Sequence, residues 1–107
     1  MKSMVQLLNS EGQLSSLRGY AKFKMSNKQL INAYKYMIAA RAADEWAFSL
    51  NRQGRLGTYA PCSGQEASSV GSVMALRDDD WIVQSDRELG GLLVRGISLK
   101  QYYMYWF

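Results

Sequence analysis

The apolar positions of this chain recur mostly three and four residues apart, the period that turns one face of a helix toward a core. Leu30, Tyr34, Met37, Ile38, Trp46 and Leu50 keep that spacing, and Gly54 supplies a stop. The start is marked as well. Ser26 and Gln29 form a Ser-x-x-Gln pattern, in which the serine hydroxyl accepts from the N3 amide and the glutamine side chain reaches back to the serine N–H. Met25 and Leu30 hold the two positions of a hydrophobic staple around it. The same pattern returns at Ser63 and Glu66, Ser85 and Glu88, and Ser98 and Gln101, so four helices are predicted. The second spans about 64–76, with Ala67, Val70, Val73 and Met74 inward and Gly71 where a neighbour approaches closely. The third spans about 86–95 and ends at Gly96, and the fourth spans 99–107.

The remaining pattern is extended. Trp81, Ile82 and Val83 are too few for a helix and read as a buried strand leading into the third capping pattern. Near the N-terminus, "VQLL" and "GQLSSL" flank Asn9, Ser10, Glu11 and Gly12, which suits a turn between two short extended segments. The expected fold class is mainly α, with about four helices and one or two short strand regions. Two parts are expected: an N-terminal basic arm over 1–25 and a helical body over 26–107.

Charge sharpens that division. Lys2, Arg18, Lys22, Lys24 and Lys28 face only Glu11 in the first 28 residues, whereas eight basic and eight acidic residues cancel from position 29 onward. The excess belongs to the arm, where Tyr20 and Phe23 are too few aromatics for a nucleic-acid platform. No nucleic-acid partner is expected. No apolar run is long enough to span a membrane and the first residues lack the apolar core of a secretory signal, so a cytoplasmic location and no membrane are expected. A lone cysteine, Cys62, excludes an internal disulfide.

Candidate chemistry is sparse. With no histidine, the chain has neither a histidine-based triad nor a zinc site, and Cys62 has no partner base. Asp44 with Glu45, and Asp78, Asp79 and Asp80, read as solvated charge, and no metal ligand set is expected. Arg87 lies in the first turn of the third predicted helix, where its charge opposes the dipole; either a phosphate-like anion or the nearby Asp86 or Glu88 would answer it. The fourth helix is apolar on nearly every side. Tyr102, Tyr103, Tyr105, Trp106 and Phe107 either await surface from another chain, which predicts self-association, or cap the chain's own core.

The segments "ARAADE", "QGRLGTYAP", "GQEA" and "DDDWIVQSDRELGGLLVRGISL" resemble, in order and spacing, the N-terminal part of the α subunit of thiamine-diphosphate-dependent 2-oxo acid dehydrogenases, the E1 component of pyruvate, branched-chain and acetoin complexes. The resemblance covers nearly the whole chain and implies the helical N-terminal portion of an α/β thiamine-diphosphate-binding fold. It implies that Thr58, Tyr59 and Ala60 line the substrate end of the site. It also implies that Ser85, Asp86 and Arg87 lie at the cofactor diphosphate, with Arg87 matching the family's arginine. Asp86 stands where relatives carry tyrosine. A carboxylate there repels a diphosphate by about 4 kcal/mol at ~4 Å and an effective dielectric of ~20. The family's Gly-Asp-Gly and asparagine motif for magnesium lies outside residues 1–107, and its activating glutamate belongs to the β subunit. No catalytic residue is therefore assigned in this chain. The implied partners are the remainder of an E1 α subunit, an E1 β subunit and the lipoyl acyltransferase E2. The implied reaction is oxidative decarboxylation of a pyruvate-like 2-oxo acid with acyl transfer to E2. The alternative is a non-catalytic helical interaction module or degenerate remnant.

Overall fold

The computed structural model describes residues 6, 8–13 and 25–107. Lys2, Arg18, Lys22 and Lys24 of the basic arm lie outside the described residues, as do most of the two extended segments. The turn between those segments is present. The Asn9 side-chain oxygen accepts from the amides of Glu11 (3.0 Å) and Gln13 (2.8 Å), and the Gly12 amide donates to the Asn9 carbonyl.

Four helices follow: α1 (Asn27–Arg52), α2 (Glu66–Met74), α3 (Leu89–Val94) and α4 (Leu99–Trp106). The mainly helical expectation holds, and no strand is present among the described residues. No helix among them is long and apolar enough to cross a membrane. The capping boxes at Ser26 and Ser98 form in both directions. The stops at Gly54 and Gly96 close as Schellman motifs: Gly54 donates to Asn51 and Arg55 to Leu50, while Gly96 donates to Leu93 and Ile97 to Leu92. Both glycines sit at positive φ, 69° and 83°, where a Cβ would be strained.

The other two capping patterns are built differently. α2 begins at Glu66 with no side-chain cap. Ser63 donates its amide to Asp44, and the Glu66 carboxylate accepts from the Gly64 amide and pairs with Arg41. α3 begins at Leu89, three residues after the predicted start. Glu88 reaches back to the Ser85 amide, but the serine hydroxyl does not complete the box. A carboxylate with several donors in reach answers whichever geometry offers: Glu66 is diverted from the reciprocal pattern to Gly64 and Arg41, whereas Glu88 makes its half of the pattern and takes the Arg87 amide as well.

The core is built on small residues. Ala40, Ala43 and Ala47 form the buried stripe of α1 with Asp44, and they pack with Leu56, Tyr59, Cys62, Leu89 and Tyr102. Leu30, Tyr34, Ile38 and Trp46, which carried the sequence pattern, are 47 to 67% exposed. An alanine stripe permits close approach of neighbours, which the larger residues on the adjoining face would prevent. The tightest contact joins α2 and α3. A Cβ on Gly91 would lie 2.6 Å from Val73 Cγ2, one on Gly90 would lie 2.8 Å from Val70 Cγ2, and the Gly91 amide donates to the Ser69 hydroxyl at 2.7 Å. Gly71, expected at such an approach, meets nothing within 4 Å.

Trp81 and Val83 are 93% and 95% exposed and Ile82 is half-buried, so the segment expected as a buried strand is an irregular, largely exposed connection. α4 divides the expectations made for it. Tyr102 is buried, Tyr103 donates its hydroxyl to the Ala43 carbonyl at 2.8 Å, and Trp106 packs edge-on to Tyr59 at 5.2 Å, so this face caps the chain's own core. Met104, Tyr105 and Phe107 remain exposed. The turn between α2 and the Trp81 segment is closed by Asp80, which accepts from Arg77, and by the Arg95 guanidinium, which donates to the carbonyls of Arg77, Asp78 and Asp80.

Candidate functional site

The loop from Leu56 to Gln65 is the most heavily tied irregular segment among the described residues, and its anchor is a side chain of α1. Asp44 stands between Ala40 and Ala47 on the alanine stripe, which carries it into the core, 2% exposed. One carboxylate oxygen accepts from the Tyr59 hydroxyl (2.7 Å), the Cys62 amide (2.8 Å) and the Cys62 thiol (3.2 Å), and the other accepts from the Ser63 amide (3.1 Å). The expectation that Asp44 is solvated charge is overturned. Its signal in the sequence was position: residues 40, 44 and 47 share one helical face, so an aspartate among alanines points into the packing.

The electrostatics follow from that burial. The Cys62 thiol is pushed up to about 12, first by burial and then by its bond to Asp44, so it acts as a neutral donor. Tyr59 is raised for the same two reasons and stays protonated. Beside the loop, the Arg41 guanidinium holds the Glu66 carboxyl below its usual range, and the Gly64 amide adds to the effect. At the other end of the loop the Asn51 side chain donates to the Gly57 carbonyl, while the Gly57 amide donates to the Trp106 carbonyl at 3.0 Å.

Of the expected substrate-end residues, Thr58 is exposed, Ala60 half-buried, and Tyr59 is turned inside onto Asp44. The expected cofactor residues Ser85, Asp86 and Arg87 are all exposed, in the segment leading to α3. No hydrogen bond or ion pair joins the two groups among the described residues. Two surface hollows, of about 540 Å³ beside Lys28 and Lys35 and about 210 Å³ between Tyr36, Val73 and Arg95, are lined by none of these six residues.

The 85–88 segment fits a diphosphate only in part. Its helix starts at Leu89 and has six residues, and the amides of Ser85 and Arg87 both donate to the Glu88 carboxylate at 3.0 Å. A carboxylate thus takes the donors that a phosphate oxygen would need. The Arg87 guanidinium makes no ion pair among the described residues, with Asp86 and Glu88 included, and is the one positive charge of the three left to meet an anion. No cluster of three metal-ligating acidic or cysteine side chains occurs among the described residues.

Residues 34–107 match the family described as dehydrogenase E1 component. The chain is 38% identical over 101 residues to the pyruvate dehydrogenase E1 component subunit alpha of Bacillus cereus, an alignment covering 94% of this chain and 27% of that protein. It is 40% identical over 84 residues to the corresponding subunit of Acholeplasma laidlawii, covering 78% of this chain and 24% of the relative. It is 41% identical over 93 residues to the 3-methyl-2-oxobutanoate dehydrogenase subunit alpha of Mycobacterium tuberculosis, covering 87% and 25%. The chain spans about a quarter of the length of these relatives. The region of the match contains the Asp44 anchor, the loop it holds and the α2–α3 contact, and the chain belongs to the dehydrogenase E1 component family.

Proposed function

We propose that this chain is a piece of an E1 α subunit, with 1–25 as a basic arm and 26–107 as the helical N-terminal part. In this reading it contributes one wall of a thiamine diphosphate site in an assembled enzyme that decarboxylates a pyruvate-like 2-oxo acid and passes the acyl group to lipoyl-bearing E2. Its partners are the remainder of the α subunit and a β subunit, in the cytoplasm. Thr58 and Ala60 face the substrate, with Tyr59 behind them, and Arg87 meets the cofactor diphosphate, whose magnesium is held outside residues 1–107. Family membership over residues 34–107 carries the reading. The free guanidinium of Arg87 supports it, while the Glu88 carboxylate on the neighbouring amides and the exposed Asp86 oppose main-chain binding of the diphosphate.

The test is calorimetric titration of thiamine diphosphate into this chain assembled with polypeptides supplying the rest of an α subunit and a β subunit. Arg87→Ala should weaken binding by about 10-fold to 100-fold, the range for a hydrogen bond to a charged group. Asp86→Tyr should tighten it by removing a repelling charge. Unchanged affinity in both variants overturns the assignment of residues 85–87. A second reading, a non-catalytic interaction module, is favoured by the exposed Met104, Tyr105 and Phe107 at the end of α4. It predicts concentration-dependent self-association of the chain alone in light scattering, lost in Tyr105→Ser with Phe107→Ser.

A further inference from the structure

All four donors to Asp44 come from five consecutive residues, Tyr59 to Ser63, and its carboxylate meets no acceptor. That donor set calls for an acceptor-only group. An ionised carboxylate offers about four lone-pair sites and no hydrogen, whereas an asparagine of the same shape would turn an NH2 toward one of the donors. The near end of the loop is held separately, by Asn51 on the Gly57 carbonyl and by the Trp106 carbonyl on the Gly57 amide. Residues 58 to 61 therefore run between two fixed points. Along them Thr58 is exposed, Tyr59 buried, Ala60 half-buried and Pro61 exposed, so of the four only Tyr59 is fully inside.

We infer that Asp44 is a positioning residue. Its carboxylate, acting through the Tyr59 hydroxyl and the Cys62 and Ser63 amides, sets the conformation of residues 58 to 60, so that Thr58 and Ala60 are presented outward from a fixed backbone while Tyr59 is held inside. That these residues face a substrate rests on the function proposed above; that Asp44 fixes them does not. The neutral state of the Cys62 thiol agrees with its place as a fourth donor. Substitutions at Asp44 should therefore act on the presented residues without a contact to them.

The test uses the full chain, residue-resolved amide hydrogen exchange and the resonances of Thr58 and Ala60. In Asp44→Asn, the Ser63 amide, left facing an NH2, should exchange at least about tenfold faster, the factor expected for one lost bond to a charged acceptor, and the Cys62 amide faster by less, its acceptor being now uncharged. Thr58 and Ala60 resonances should shift. The Gly91 amide, bonded to Ser69 at the α2–α3 contact, should keep its protection, and the faster exchange should not depend on low urea concentrations, as befits local opening. A purely structural role predicts the opposite, with Gly91 accelerated by the same factor and all three amides urea-dependent; that result overturns the inference, as do unshifted Thr58 and Ala60 resonances. Tyr59→Phe removes a single bond and leaves the carboxylate in place. It should shift the same two residues by less, and if Asp44→Asn does not fold, no shift in Tyr59→Phe overturns the inference alone. Neither measurement involves thiamine diphosphate, so the positioning role and the cofactor assignment fail separately.

Discussion

Two irregular segments of this chain are each organised by a carboxylate that gathers main-chain amides, and they differ in where the carboxylate comes from. In the 56–65 loop it comes from Asp44, fifteen to nineteen residues earlier on another element, so its bonds tie the loop to the core. In the 85–88 segment it comes from Glu88, three residues and one residue from the amides it accepts, so its bonds shape a local turn and reach nothing else. The same chemistry gives a buried anchor in one place and an exposed turn in the other. Span decides the difference, because only the distant carboxylate joins separate parts of the fold and is covered by them.

That contrast is open to direct attack. Asp44→Leu leaves the Tyr59 hydroxyl and two main-chain donors without an acceptor in or near the core, at roughly 1–3 kcal/mol each, and should cost on the order of 3–5 kcal/mol in urea unfolding followed by circular dichroism. A loss below about 1 kcal/mol would break the comparison.

The Glu66 carboxyl, shielded beside the same loop, sharpens the contrast through pH. Its folded pKa is lowered below the 4.5 of the unfolded chain, first by the hydrogen bond from Arg41. Its stabilisation is therefore complete above pH 4.5 and drains away as pH falls through the folded value. The urea midpoint should drop on acidification below that point, and Arg41→Met should flatten the drop; an unaltered acid limb in the variant would show that the pair is not its source.

Glu88→Ala should be the smallest effect, under about 1 kcal/mol, since water replaces the lost acceptor at the exposed amides of Ser85 and Arg87. If it matched Asp44→Leu, span would not be what separates the two carboxylates.

The sequence was legible where structure is local. Ser26 and Ser98 cap as the pattern says because Gln29 and Gln101 have no rival partner, and Gly54 and Gly96 stop helices through bonds that reach back only a few residues. It misled where a group had a choice of partners. Glu66 took Arg41 and Gly64, and Asp44 took a loop that no spacing rule links to it. Periodicity identified α1 yet not its inner face, because Leu30, Tyr34 and Ile38 keep helical spacing as well as the alanines do, and close approach favoured the smaller set. The resemblance in "GQEA" and "QGRLGTYAP" found the family before the geometry did. It could not show that Glu88 covers the amides of Ser85 and Arg87, which depends on where α3 begins.

The glycine contact between α2 and α3 also bears on how the chain loses structure. α3 has six residues, far short of the length at which a helix persists by itself in water, and the Val70, Val73 and Ser69 surface supplies what its own hydrogen bonds do not. The nine residues of α2 are hardly more self-sufficient. Neither helix is long enough to persist alone, so the two are expected to be lost together, from each other and from the α1 face that Leu89 packs against, and the close approach that couples them depends on two side chains reduced to hydrogen.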